Sequence, residues 1–378
     1  MPRRGETDDS PRDINVREGM EGGVARAGND EQGDEEMQSL KRPLHRRDFL
    51  RTMGGAGAAA CLAPIAAPAS AQQQPERTFR YTSLFAAGHP DYVASDYFAE
   101  QVAKYSGGKL RVNVFHNGSL GGDLDTVQAM RSGTIDMGRA GSAGVSTFIK
   151  DIRVLELPYL FKSLDEMRRS IQACTPVLRE LFAQNNLELI GFQFDGPRMS
   201  LSSKPLKGLP DFKNLKMRAP EAPIFIEMLK AFGARPTPIS LPELYMALQS
   251  GLVEALEGSA ATLYTGKYYE VAKNLLRTDH IYSAVFLVVN SGVYASLSPV
   301  YQQAIRDAGR DATDMNLKLT AEGNVNYLEE LKKRGVIENK TDLAPFVAAV
   351  QSFSSTYAKG IGGRAEELVE IIKRTSKA

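Results

Sequence analysis

KMRAPEAPIFIEMLKAFGARPTPISLPELYMALQSGLVEALEG, residues 216–258, is the stretch on which the reading of this chain turns. Residues 215–218, Leu-Lys-Met-Arg, predict a short strand. Pro220 and Pro223 bar a helix before Ile224, because proline lacks an N–H and biases the residue before it toward extended backbone. Arg218 is thereby placed at a strand end. A guanidinium there presents a planar fork of donors that matches both oxygens of a carboxylate, which the point charge of lysine does not reproduce. The amphipathic helices expected from 224 and from 242, the second with Pro242 in its first turn, carry no catalytic grouping. The segment therefore reads as a binding site, although the residues alone leave open a solvated surface arginine, the commoner fate of that side chain.

Working outward, the pattern is α/β. Residues 78–83 and 110–115 alternate as strands around a helix expected at 92–105, and 188–194 and 285–290 read as further strands. A helix at 124–132 ends on Gly133 as its C-terminal cap. A short strand at 135–138 runs into a loop of small residues at 139–144, which would bring Arg139 and Ser142 to a strand end, where ligands gather in such sheets. From 299 to about 335 the chain is strand-free and predicts one long helix. No internal repeat of fixed period is present.

Several motifs stand in a recognisable order: Gly88-His89-Pro90, SGGKLRVNVFHNGSLGGDLDTVQAMRSGTIDMG at 106–138, ELPYLF at 156–161, GPRMSLSSKPL at 196–206, the stretch quoted above, and KYYEVAKNL at 267–275. Together they resemble the solute-binding proteins of tripartite ATP-independent periplasmic (TRAP) transporters, in the dicarboxylate-binding-protein (DctP) family. The resemblance covers nearly the whole chain beyond its leader. It implies an α/β, two-lobe clamshell binding protein with a long interlobe helix. Lobe one is placed at 72–194 plus 284–323, and lobe two at 195–283 plus 324–378. The implied function is capture of a small organic acid and its delivery to the small and large subunits of a membrane permease.

The resemblance also implies a site. Arg218 makes the bidentate contact to the ligand carboxylate, and Arg198, just after the Gly196-Pro197 that follows the strand at 188–194, assists it. Glu221 and Leu241 fall on pocket-lining positions, although Leu241 equally suits a hydrophobic staple for the helix that follows. Tyr245, one turn beyond, faces either ligand or core. Glu257 pairs with Arg218, holds a ligand hydroxyl, or buttresses the arginine from behind. Gly258 stands where relatives often carry an Asn whose amide reaches the ligand, so that contact is lost or is replaced by a backbone amide or by Ser259. From lobe one, Phe85, His89, Arg139 and Ser142 are expected to face the cleft, with Arg139 either meeting a second carboxylate or remaining a solvated loop residue.

The leader decides the destination. Arg46-Arg47-Asp48-Phe49-Leu50 is a twin-arginine pair before an apolar Gly/Ala-rich stretch at 53–69, and Ala69-Ser70-Ala71 suits signal peptidase, predicting cleavage after Ala71. Pro64 and Pro68 argue against a membrane span. Lipidation at Cys61 fits poorly, because Ala58 occupies a position where a larger aliphatic residue is usual. Residues 1–36 are acidic and aperiodic, as expected of a disordered extension, and translation from Met37 would give a shorter, basic signal sequence. With 46 Lys+Arg against 45 Asp+Glu, charge is balanced and points to neither nucleic acid nor an anionic membrane surface. No cofactor, metal site or membrane insertion of the mature chain is expected. Its histidines, His89, His116 and His280, lack ligand spacing, and Cys174 has no internal partner and suits a small buried apolar position. The alternatives are a periplasmic receptor that presents its ligand to a sensor and, more remotely, an exported enzyme.

Overall fold

The computed structural model describes residues 74–376. The twin-arginine pair, the apolar stretch with Cys61, the Ala71 cleavage point and the alternative start at Met37 lie outside the described residues.

The strands are β1 (Arg77–Thr82), β2 (Leu110–Phe115), β3 (Met137–Gly141), β4 (Leu187–Pro197), β5 (Met199–Ser202), β6 (Lys216–Ala219), β7 (Arg235–Pro238), β8 (Ala255–Gly258), β9 (Asn274–Arg277), β10 (Tyr282–Asn290) and β11 (Ile337–Lys340). They form a first sheet in the order β2-β1-β3-β10-β4 and a second in the order β11-β9-β5-β8-β6-β7. In the first sheet β1 runs parallel to β2 and β3, whereas β10 is antiparallel to both its neighbours. Packed on both faces, β10 reads as the unbroken apolar run Val285-Phe286-Leu287-Val288-Val289, buried throughout.

The helices are α1 (Pro90–Tyr105), α2 (Asp123–Ser132), α3 (Ser142–Phe148), α4 (Leu164–Ala183), α5 (Pro223–Ala231), α6 (Leu244–Gln249), α7 (Ala260–Thr265), α8 (Ser291–Ala295), α9 (Pro299–Lys333), α10 (Ala344–Ile361) and α11 (Ala365–Thr375). Gly133 closes α2 at φ 78°, as its position predicts. Cys174 is a buried free thiol on α4. The C-terminal helix α11 packs on α4, while β11 extends the second sheet. Among the described residues no helix is long and apolar enough to cross a membrane.

One expectation is corrected here. The small residues at 139–144 do not form a loop: β3 runs on through Arg139 to Gly141, and α3 begins at Ser142. Their smallness serves packing. A Cβ on Gly144 would lie 2.5 Å from the Asp123 carbonyl oxygen, and one on Gly138, just before the segment, would lie 2.8 Å from the Thr82 backbone nitrogen. Arg139 is therefore held rigidly in a sheet.

The chain passes from the first sheet to the second at Pro197-Arg198-Met199 and returns between β9 and β10. The two passages are tied together: Arg198 N–H donates to the Ile281 carbonyl at 2.8 Å, and His280 N–H donates to the Arg198 carbonyl at 3.1 Å.

The 35-residue α9, about 50 Å long, packs on α1 and β4 and then on α7. Its polar residues complete the outer edge of β4, which no strand covers. Phe192 N–H donates to Thr313 Oγ1 at 2.9 Å, Phe194 N–H to Asn316 Oδ1 at 2.6 Å, and the Thr320 hydroxyl donates to the Phe194 carbonyl at 3.0 Å. Gly191 and Gly309 allow this approach, since a Cβ on Gly309 would sit 2.4 Å from the Ile190 carbonyl oxygen. The helix thus acts as the missing strand, with side chains in place of a backbone ladder. Asn316→Ala leaves the Phe194 N–H buried and unpaired. Chemical denaturation is expected to show a loss of about 1–3 kcal/mol.

Candidate ligand-binding site

A cavity of about 560 Å³, solvent at its mouth included, opens between elements of the two sheets. Phe85, Arg139, Ser142 and Asp195 line it from the first sheet's side, and Arg218, Phe225, Leu241 and Glu257 from the second's; Arg198, at the crossing, lies between.

Arg218 is the third residue of β6, whose extended backbone is enforced by Pro220 beyond its end. The side chain is 5 % exposed, and its Nε–H donates to the Ile239 carbonyl at 2.8 Å. No carboxylate among the described residues lies within ion-pairing distance of it. Burial draws its pKa below the ordinary guanidinium value, opposed by the Glu257 carboxylate. A guanidinium nevertheless stays protonated, so a buried positive charge faces the cavity with no ion-pair partner among the described residues.

The other two arginines are neutralised. Arg198 Nε and Nη2 grip both oxygens of Glu257, with Nη2–Oε1 at 2.7 Å, and Arg198 Nη1 lies 3.9 Å from Asp195. Its guanidinium carbon stands 5.3 Å from the centre of the Phe225 ring. Glu257, 1 % exposed, also meets His280 Nε2 at 3.3 Å, and His280 Nδ1 meets the Thr278 hydroxyl at 2.8 Å. Burial pushes the Glu257 pKa upward, but the Arg198 charge overrides it and holds the carboxylate well below the usual range. Of the roles open to Glu257, pairing with Arg218 is excluded here, because both oxygens are turned to Arg198.

Arg139 Nε lies 3.0 Å from Asp91 Oδ2, misaligned for a hydrogen bond, and its Nη1 donates to Asp123 Oδ1 at 2.7 Å. It also stands 5.0 Å from the Phe85 ring centre. At 4 % exposure it is not a solvated loop residue.

The remaining expected residues divide. Phe85 lines the cavity, and His89 backs it, stacked at 3.7 Å and capping α1 through Nδ1 while Nε2 meets Thr262 Oγ1 at 3.3 Å. Burial, aided by the Arg139 charge, pushes the His89 pKa down to about 3. Leu241 lies in a 3-10 turn leading to α6 and walls the cavity. Tyr245 is outside it, in an outer chamber, donating to Glu270 at 2.8 Å. Glu221 is half-buried beside Pro220 and does not line the cavity; burial raises its pKa. Gly258 is buried in β8 and sends nothing into the cavity. Ser259 does not replace the missing amide: its hydroxyl caps α7 through the Thr262 N–H at 3.2 Å.

Sequence reasoning missed Asp123, Asp195 and Phe225. Asp123 begins α2 after Gly121-Gly122, and Asp195 precedes the Gly-Pro crossing, so a carboxylate beside a helix start or a sheet-to-sheet passage was the available signal. Among the described residues no group of His, Cys, Asp or Glu is arranged to hold a metal ion.

A cleft between two sheets, joined by two short crossings and by the long helix α9 and lined by a buried cation, defines a two-lobed solute-binding protein. Residues 82–360 match the family described as bacterial extracellular solute-binding protein, family 7. A solute-binding protein of Verminephrobacter eiseniae is 31% identical over 300 residues, 78% of this chain and 89% of the relative. The sialic acid-binding periplasmic protein of Vibrio cholerae is 27% identical over 80% of this chain and 94% of its own length. A TRAP periplasmic solute-binding protein of Xanthobacter autotrophicus, solved with bound β-D-galacturonate, superposes with a TM-score of 0.75 at 26% identity, covering 79% of this chain and 99% of that one. The chain belongs to the family-7 extracellular solute-binding proteins, the periplasmic binding proteins of TRAP transporters.

Behind the cavity wall Glu156 is 1 % exposed and accepts from the Ser283 hydroxyl at 2.9 Å. Burial raises its pKa from 4.5 to about 7. The folded protein thus holds this proton where the unfolded chain has released it, and stability falls as pH rises through that interval. Glu156→Gln removes the titration, so denaturation curves from pH 4.5 to 7 are expected to show the variant gaining on wild type by up to roughly 3 kcal/mol.

Proposed function

We propose that the protein binds a small organic acid, hydroxylated as in a sugar acid, by docking its carboxylate on Arg218, and delivers it to the two-subunit membrane permease of a TRAP transporter. The observation that carries this is the buried Arg218 guanidinium, facing the cavity with no ion-pair partner among the described residues. A ligand carboxylate would accept the donors that the Ile239 carbonyl leaves free and offset the cost of burying the cation. The named ligands of relatives, galacturonate and sialic acid, are hydroxylated carboxylates.

Elements of both lobes surround the cavity, so a bound ligand favours the closed form over the open one in proportion to the contacts made only on closure. We take lobe one as the first sheet with its helices and lobe two as the second sheet. The crossings at 197–199 and 278–281 support boundaries near those expected at 194 and 284, and the packing of α11 on α4 favours assigning that last helix to lobe one. Binding without chemistry is the reading the family supports.

In calorimetry Arg218→Ala is expected to lose about 3–5 kcal/mol of binding, roughly two to four decades in affinity. Arg218→Lys should fail similarly, since the fork is lost. The unliganded Arg218→Ala protein should melt no lower than wild type, because the change removes an uncompensated buried charge; affinity within threefold of wild type would refute the assignment.

We also propose export by the twin-arginine route, supported by Arg46-Arg47 and the small residues before Gln72. Mature protein from the periplasm should begin at Gln72, and Arg46→Lys combined with Arg47→Lys should leave uncleaved precursor in the cytoplasm.

A further inference from the structure

Three guanidiniums reach one cavity from three elements: Arg139 from β3, Arg198 from the sheet crossing and Arg218 from β6. Such a set would suit a ligand with two or more carboxylates. The pairing of these groups argues the reverse. Arg198 spends Nε and Nη2 on Glu257 and faces Asp195 with Nη1, while Arg139 lies between Asp91 and Asp123. Glu257 cannot swing aside at little cost, since it is 1 % exposed and also bonded to His280. Asp91, 2 % exposed, is likewise fixed beneath Arg139.

We propose that Glu257 and Asp123, by occupying the cavity's other two guanidiniums, restrict the site to ligands with a single carboxylate and an uncharged, hydroxyl-bearing remainder. The inference rests on Arg218 being the carboxylate receptor and goes beyond it to the ligand's charge.

The reasoning is electrostatic. Among the lining residues the charges of Arg139, Arg198 and Arg218 are matched by those of Asp123, Asp195 and Glu257. One ligand carboxylate finds Arg218. A second, carried on the same skeleton, meets a carboxylate of Asp123, Asp195 or Glu257 at whichever arginine it approaches, and like charges brought together out of water repel strongly. Ligand hydroxyls meet the opposite situation. Asp195 and Asp123 keep acceptor capacity beyond the contacts they make, and an O–H donated to a carboxylate is among the stronger neutral-to-ionic hydrogen bonds. The same acids that reject a second carboxylate therefore favour a polyol chain.

The test is calorimetry of the mature protein with matched acids that differ by one carboxylate: lactate and malate, D-gluconate and D-glucarate, D-galactonate and galactarate. For any skeleton that binds, the monocarboxylate is expected to bind about a hundredfold or more tightly than its dicarboxylate partner. Glu257→Gln releases Arg198 and should narrow that ratio at least about tenfold by strengthening the dicarboxylate. Asp123→Asn, at a side chain 25% exposed on the first turn of α2, should narrow it in the same direction should Glu257→Gln fail to fold. A dicarboxylate that binds wild type within threefold of its partner, and is lost in Arg218→Ala, overturns this inference and leaves the carboxylate reading standing. Variants that fold and leave the ratio unchanged overturn the roles of Glu257 and Asp123. Failure of every acid in all pairs to bind overturns the carboxylate reading and this inference with it.

Discussion

The Arg198–Glu257 ion pair is the contact around which the cleft is organised. Arg198 sits where the chain leaves the first sheet, Glu257 lies on β8 in the second, and His280, bonded to the same carboxylate, is on the returning passage. One pair thus ties together both crossings and the strand beside the ligand cavity. Its charges are buried, so its net worth to stability is modest, but breaking it from one side would strand the other charge away from water. Such a pair specifies geometry: it fixes how the two passages lie, and hence where β6 presents Arg218.

Against that neutralised background Arg218 stands out. The guanidiniums of Arg139 and Arg198 are ion-paired within the protein, whereas the charge of Arg218 is opposed only at a distance, by Glu257 first and also by Asp123 and Glu221. On the proposed reading the ligand's carboxylate is met at Arg218, and the other charged lining groups, two arginines against three carboxylates, leave shape and hydroxyl contacts to discriminate among acids. On the proposed reading, attracting a carboxylate and choosing between carboxylates fall to different residues.

The long helix α9 supports this arrangement from behind. By bonding Thr313, Asn316 and Thr320 to β4 it closes the open edge of the first sheet, and by continuing past α7, with Leu328 and Leu331 in the second core, it spans the cleft. It couples the lobes through a continuous element, while the crossings at 197–199 and 278–281 are short and hydrogen-bonded to each other.

Much of this was legible in the residues. Alternation, proline placement and the C-cap at Gly133 marked strands and helices, since backbone preference and apolar period act locally. The same local logic placed Arg218 on a short strand, and the ordered motifs led to the family. What failed to show was pairing. Arg198, Arg139 and Glu257 were each recognisable as candidates, yet nothing in their spacing indicates that Glu257 belongs to Arg198, that Asp91 and Asp123 hold Arg139, or that Tyr245 is directed to Glu270 outside the cavity. Small residues at 139–144 suggested a loop because the reason for their size, backbone packed against α2 and β1, is visible only in space. The sequence by itself determined most of the secondary elements, the family and the placing of Arg218 on a short strand, because these follow from local preference and ordered motifs. Only the tertiary structure decided which of the cavity's arginines are ion-paired and which one is left without such a partner among the described residues, because ion pairs form between residues that are distant along the chain and meet where two sheets come together.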